Sequence, residues 1–271
     1  MKIIINQIFR YKRPYKIVPE FIDNLKNFFY VFNIPSKQTM NLTDAGITPI
    51  KCKDNKTIAA IFILSTPQKI GTNETPWQDI LNPDMGYVRY FGDNKTSQDP
   101  HKSDGNKILL EEFKKHSNSS KEIRENAAPL ILFENLEFNN KKKGYRKFLG
   151  IGIMNKISVV SQVNKQNESF TNYQFDISIM NLNKEFEQFD WQWIIERYEM
   201  NKSIKDIAFY APNSWKNFIS NGPSNLNNLS RRISSLQIVK KEKQIPAKDS
   251  NNLKCLNEIY RFYTTNKKKH N

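Results

Sequence analysis

The chain has 271 residues, 38% hydrophobic and 12% aromatic, which is enough to bury one large core or two small ones and too apolar for a disordered chain. Two cysteines (Cys52, Cys255) and three histidines (His101, His116, His270) exclude a disulfide scaffold or a zinc ribbon and leave little for a histidine metal site. Forty-two Lys plus Arg against 27 Asp plus Glu leave a net charge of +15 and an isoelectric point near 9.6. A polyanionic partner explains such an excess, with the Lys- and Asn-rich coding of an AT-rich genome as the alternative source.

No run approaches the ~18–20 apolar residues of a membrane span. Ile3-Ile4-Ile5 ends at Asn6, too short for a signal-peptide core, so a cytoplasmic protein is expected. Residues Val18 to Asn33 carry apolar side chains at helical spacing, with Pro19 suited to a first turn, and predict a helix. The Ile-rich run Thr57 to Leu64 predicts a buried strand. The polar stretch Ser65 to Asn82 is longer than an ordinary connector, a mark of functional loops. Tyr87 to Phe91 alternates as a strand between Gly86 and Gly92. Asp104 to His116 predicts a helix capped by Asp104, with Ile108, Leu109 and Phe113 inward, and Ser120 to Ala128 a second one stopping before Pro129.

From Pro129 the pattern is strand-like: Leu130 to Phe133, Phe138, Phe148 to Met154, Ile157 to Val163 and Tyr173 to Met180 predict an antiparallel meander with Asn- and Lys-rich turns. A helical tail follows over Asp190 to Met200, Ile204 to Tyr210, Ser214 to Ile219 and Asn225 to Leu236. Lys240 to Asn251 predicts a charged linker, and Leu253 to Tyr263 a last helix before a basic tail. Cations cluster at Arg10–Arg13, Lys141–Lys147, Lys240–Lys243 and Lys267–Lys269. The second cluster interleaves Tyr145 and Phe148 with its charges, a mixture suited to phosphates and bases or, equally, to a solvated hairpin tip.

Walker, Rossmann, GxSxG and HExxH motifs are all missing. Asp104, Glu112 and Lys114 match a loose metal-nuclease pattern, but on one helix the two carboxylates would lie about 12 Å apart along the axis, too far to share an ion. The segment Thr75 to Lys95 holds Trp77, Asp79, Asp84, Tyr90 and Asp93. A pocket that reads an extruded cytosine needs aromatic faces and a carboxylate accepting from the N4 amino group, which Trp77, Tyr90 and Asp79 can supply. On chemistry alone the same residues read more readily as core aromatics and turn carboxylates.

The run Trp77-Gln78-Asp79…Asp84-Met85-Gly86…Arg89-Tyr90-Phe91-Gly92-Asp93-Asn94-Lys95 resembles the N-terminal domain of AspBHI/MspJI-type modification-dependent restriction endonucleases. The segments Gly105–Glu111, Ala128–Glu134, Lys143–Gly150 and Phe170–Asp176 continue the resemblance in order over about residues 57–200. It implies an α+β fold: an SRA-like curved antiparallel β-sheet or β-barrel crescent with flanking helices and a helical C-terminal tail. It further implies recognition of 5-methylcytosine, with 5-hydroxymethylcytosine as a second form, in double-stranded DNA by base flipping, for restriction and phage defence. By the match of Asp84-x-Gly86…Tyr90-Phe91-Gly92 to the SRA hallmark, Tyr90 would stack on the base. Trp77 and Asp79 would be the opposite aromatic and the N4 reader, with Asp93 as second reader. Arg89, Asn94, Lys95, Lys143, Tyr145, Arg146, Lys147 and Asn172 would contact backbone or groove.

The resemblance implies three regions: a helical or irregular extension over 1–50, the modified-DNA-binding domain over 51–237, and a basic linker and helix over 238–271. The catalytic half of such enzymes appears after this point, so this chain is expected to be non-catalytic, either a fragment or a stand-alone reader. It is expected to need no cofactor, with Mg2+ belonging to a nuclease domain outside it, and to have no membrane partner, with homo-oligomers open to it through that other domain. The alternatives are a basic binder of RNA or of differently modified DNA, such as phosphorothioate or glucosylated bases, and a self-contained Mg-dependent nuclease.

Overall fold

The computed structural model describes residues 1–12, 18–35, 42, 45–67, 79–139, 144–164, 166–182 and 188–223. The chain divides into two units, Met1–Arg232 and Ile233–Asn271, and everything that follows concerns the first. The helices expected over Asn225–Leu236 and Leu253–Tyr263, and the linker between them, lie outside the described residues.

In chain order the strands are β1 (Lys2–Ile4), β2 (Ile8–Arg10), β3 (Phe21–Ile22), β4 (Leu25–Lys26), β5 (Ile47–Lys51), β6 (Ile58–Ser65), β7 (Ile80–Asn82), β8 (Tyr87–Phe91), β9 (Leu130–Asn135), β10 (Tyr145–Val163), β11 (Ser169–Ile179) and β12 (Gln188–Asp190). The helices are α1 (Phe28–Val31), α2 (Asp104–His116), α3 (Lys121–Glu125), α4 (Gln192–Glu199), α5 (Ile204–Ile207) and α6 (Asn213–Asn221). The central sheet runs β5-β6-β9-β10-β11-β8-β7, with β2 added on β10, while β1–β12 and β3–β4 are separate pairs. The fold is thus α+β as expected, but the sheet is open at β5 and β7 rather than closed into a barrel. It is also mixed, because β6 and β9 run parallel.

Both faces of this sheet are covered, which is why Thr57 to Leu64 reads as an unbroken apolar run rather than an alternation. Ala60 and Phe62 of β6, Ile131 and Phe133 of β9, and Phe148, Ile151 and Ile153 of β10 point into one core. That core is dense in aromatics, with Phe62 stacked on Phe133 at 5.3 Å and joined by Phe9, Phe28, Phe32 and Trp191. Ile61, Ile63, Leu130, Leu132 and Leu149 point into the other, beneath Leu109 of α2.

The first fifty residues, expected as a helical or irregular extension, supply strands to the same body: β1 pairs β12, β2 pairs β10, and β5 pairs β6. The helix expected over Val18–Asn33 is replaced by a tight β3–β4 hairpin and the single turn α1. The cause is Asp23-Asn24, both with positive φ (52° and 61°), which is the backbone of a two-residue hairpin turn. The two strands expected over Phe148–Met154 and Ile157–Val163 are one strand, β10, whose 19 residues pair in turn with β2, β9 and β11. Irregularities at Phe148/Gly150 and Met154/Lys156 let it bend without breaking.

Helix α2 has the expected bounds, but its first turn is capped from outside. Asp93 accepts from the Gly105 and Asn106 amides at 2.9 and 3.0 Å, where Asp104 was expected to cap. Leu109 is fully buried as expected, while Ile108 and Phe113 are half-buried. The rest of the buried face is polar: Asn106, Glu112 and His116. Glu112 accepts from the Ala128 amide and pairs with Lys115 at 3.1 Å. Met154 donates to Nδ1 of His116, so the ring is the neutral tautomer that donates from Nε2 to the Ala128 carbonyl at 2.9 Å; burial holds its pKa below the ordinary value. Glu112 and His116 together therefore saturate the peptide groups at the entry to β9. Among the described residues no helix is long and apolar enough to cross a membrane, and no group of three His, Cys, Asp or Glu is placed to hold a metal ion.

Candidate modified-base site

The last β7–β8 pair is Ile80 with Arg89, so the outer edge of β8 runs on past its partner. At that edge the Phe91 amide donates to Asp79 Oδ1 at 3.1 Å. The second carboxylate oxygen accepts from Ser65 Oγ, at the end of β6, at 2.6 Å. Asp79 thus bridges the ends of two strands that are far apart in the sheet order. Among the described residues it has no cationic partner, and burial pushes its carboxyl up to about 6 although both donors pull it down. A half-enclosed carboxylate without a counter-ion costs stability, which is the usual signature of a group kept for binding or chemistry.

That cost gives a direct expectation. Because the folded pKa lies above the ordinary 3.8, the contribution of Asp79 to stability is fully present below that value and is lost as pH rises through about 6. Asp79→Asn keeps the shape without the charge. It should therefore be more stable than the native protein by on the order of 2–3 kcal/mol at pH 7.5, with the gap closing by pH 4, as urea unfolding at both pH values would read. An equal gap at both would place the cost elsewhere.

Tyr90 lies beside Asp79 on β8, only 7% exposed and packed in the α2-side core. Burial, then the negative charges of Asp79 and Asp93, hold its phenol well above the ordinary range. Its hydroxyl is so close to Gly46 that a Cβ there would sit 2.4 Å from it, so residue 46 must be glycine for the ring to lie here. Asp93, expected as a second reader, spends both oxygens on the α2 cap. Trp77 and Lys143 lie outside the described residues.

The other side chains expected to contact DNA fall into two groups. Arg89 and Lys147 remain partly exposed but ion-paired, Arg89 with Asp176 at 2.9 Å and Lys147 with Glu134. Tyr87 donates to the same Asp176 oxygen at 2.7 Å, and burial first, then that bond, pushes its phenol up to about 12. Lys95 is exposed. Tyr145, Arg146, Asn94 and Asn172 are buried. Tyr145 lies beneath the Arg10 guanidinium, and Arg146 sits 4.0 Å over Tyr11 and 4.8 Å over Phe28. The cation-rich stretch was open to being read as a solvated hairpin tip, yet Arg146 and Lys147 are flanked on both sides, by β2 and β9.

Asn172 donates to the Gly92 carbonyl and to Gln162, and accepts from Asn106, while Asn94 donates to the Thr171 carbonyl at 2.6 Å. These amides tie the segment after β8 to β11 and so hold the end of β8, where Tyr90 and Phe91 lie. Gly92 is indispensable to this packing, since a Cβ would meet Asn106 Oδ1 at 1.8 Å. Ser65 was missed from the sequence, where it is merely the first polar residue after an apolar run.

The family model that matches the chain is described as restriction endonuclease AspBHI N-terminal, and it covers residues 33–229. Among solved structures, the MspJI restriction endonuclease in complex with a 27-mer oligonucleotide is similar at 27% identity and a TM-score of 0.76; the match covers 97% of this chain and 61% of that one. The chain therefore spans about three-fifths of the length of MspJI. The DNA recognition domain of the cytosine modification-dependent restriction endonuclease LpnPI matches at 17% identity and a TM-score of 0.58, covering 82% of this chain and 89% of that one. The DNA modification-dependent restriction endonuclease AspBHI matches at 13% identity and a TM-score of 0.58, covering 86% and 95%. These last two speak for the fold alone. No curated protein matches the chain in sequence. With most of its length inside that model, the chain belongs to the restriction endonuclease AspBHI N-terminal family.

Proposed function

We propose that the chain recognises 5-methylcytosine, with 5-hydroxymethylcytosine as a second form, in double-stranded DNA by base flipping, as the specificity part of a modification-dependent restriction endonuclease. The observation that carries this reading is Asp79: a half-enclosed carboxylate with no counter-ion among the described residues, fixed by Ser65 and the Phe91 amide beside an aromatic ring. The net charge of +15 and the likeness to MspJI in complex with an oligonucleotide and to the DNA recognition domain of LpnPI support the same reading.

The chemistry follows from the base edges. Cytosine offers an N4 amino donor where thymine offers a carbonyl, so an ionised Asp79 attracts one and repels the other. A carboxyl titrating near 6 is mostly ionised at neutral pH, and each of its oxygens, already accepting one bond from Phe91 or Ser65, keeps a second lone pair for the N4 amino group. Tyr90 and Trp77 are the proposed aromatic walls. With Tyr90 only 7% exposed, entry of a base requires a local opening beside its ring. One methyl in an apolar recess is worth only ~1–3 kcal/mol, so selectivity over unmodified cytosine should be roughly 10–200-fold, with phosphate contacts supplying most of the raw affinity. Arg89, Lys95 and Lys147, the described cations among the expected contacts that keep surface exposure, are the proposed phosphate partners, and Lys143 is proposed with them.

Flipping is tested with 2-aminopurine placed next to the 5-methylcytosine. Saturating protein should raise its fluorescence several-fold, because its neighbour leaves the stack, and should not do so beside unmodified cytosine. Tight binding with unchanged fluorescence in both duplexes would mean the base is read in the helix.

A further inference from the structure

Four helices line a half-open cavity of about 300 Å3 that nothing in the reading of modified DNA uses. It lies between α3, α4, α5 and α6, and its volume is at the small end of ordinary ligand pockets, about 300–1,000 Å3. Half-buried Ile207 and Ile219 form its apolar surface, backed by the core residues Trp193 and Trp215. Its charge is one-sided. Glu125 is matched by Lys121 at 3.8 Å, whereas Arg197, Lys205 and Lys216 have no carboxylate at ion-pair distance among the described residues.

Arg197 is the informative member. Its Nε donates to the Ala59 carbonyl at 2.8 Å and one Nη to the Ala127 carbonyl at 2.6 Å, which fixes the guanidinium plane. The other Nη has no acceptor among the described residues, and it belongs to a side chain that lines the cavity. A rigid guanidinium with a spare pair of N–H donors, two further cations and an apolar wall is the recognition chemistry of an organic anion. Burial lowers the pKa of Arg197, and the charge of Glu112 acts in the opposite direction. Arg197 is anchored at Ala59, near the start of β6, while Asp79 is anchored at Ser65, at its end; six residues of strand separate them by roughly 20 Å.

We infer that this cavity is a second binding site, for a small organic anion in which a phosphate is joined to a flat apolar body of nucleoside-monophosphate size. Arg197, Lys205 and Lys216 hold the phosphate, and the Ile207–Ile219 surface takes the body. Calorimetry with AMP, adenosine and inorganic phosphate on the full chain, followed in parallel by tryptophan fluorescence, tests it. AMP should bind one-to-one with a dissociation constant below about 1 mM and at least about tenfold tighter than either part alone. A saturating DNA duplex should not displace it. Lys205→Ala/Lys216→Ala should weaken AMP at least about tenfold with an unchanged melting temperature, since neither lysine takes part in the bonds that hold Arg197. No saturable binding up to about 5 mM AMP, displacement by the duplex, or full affinity in the double variant would each overturn the assignment.

Discussion

Asp79→Ala is expected to abolish the preference of this domain for 5-methylcytosine over thymine at one position, bringing two otherwise identical duplexes to within about twofold, while nonspecific affinity changes little. The reason is that Asp79 is the one group of the proposed pocket that distinguishes an amino donor from a carbonyl, and a mismatched partner there leaves a charge unpaired. A bidentate or charged base contact is worth ~1–3 kcal/mol of discrimination, so the native ratio should exceed the variant's by roughly 5- to 150-fold. Because the side chain also accepts from Ser65 and the Phe91 amide, Asp79→Asn is the control for local collapse. It should fold at least as well as the native protein and still lose the preference. If either variant keeps the native ratio, the reader is another residue.

The second large effect is on stability. Glu112→Ala should cost about 3–5 kcal/mol in urea unfolding, the usual loss when one partner of a buried charged network is removed. Glu112 is 1% exposed, and its loss orphans the Ala128 amide and the Lys115 ammonium and leaves Arg197 further from balance. Lys114→Ala, two residues further along α2, removes only an exposed pair with Glu111 and should stay within about 0.5 kcal/mol. A nuclease built on Asp104, Glu112 and Lys114 predicts the reverse pattern: stability kept in both variants and Mg-dependent cleavage lost. A Glu112→Ala cost below about 1 kcal/mol would remove the structural account of that carboxylate.

Much of the fold was legible because local signals and tertiary burial agree. Gly86 and Gly92 bracket β8, the apolar run from Thr57 marks β6, and the 3.6-residue spacing marks α2 with its exact bounds. The failures have identifiable causes. Val18 to Asn33 carries a helical period, but the adjacent pair Asp23-Asn24 favours left-handed backbone, and that turn outweighs the period. β10 was split in two because a bulge between Met154 and Lys156 interrupts the alternation without ending the strand. Tyr145 and Arg146 looked like a basic surface because nothing in the local sequence announces that β2 and β9, from remote positions, close over them.

The candidate site was less legible than the fold. Asp79 and Tyr90 do come together, at the end of β8. Asp93 was chosen for its carboxylate, yet that carboxylate caps a helix that starts eleven residues later. Ser65 and Gly46 carry no signature of their own, and they matter only because sheet topology brings β5 and β6 to the end of β8.

The central claim, that this domain reads a modified cytosine, is tested most directly by competition at about 150 mM salt between three duplexes identical except for cytosine, 5-methylcytosine or thymine at one position. The account predicts that 5-methylcytosine is preferred over both others by tenfold or more. Equal binding of all three would contradict it and would leave a basic surface that holds DNA without reading the modification.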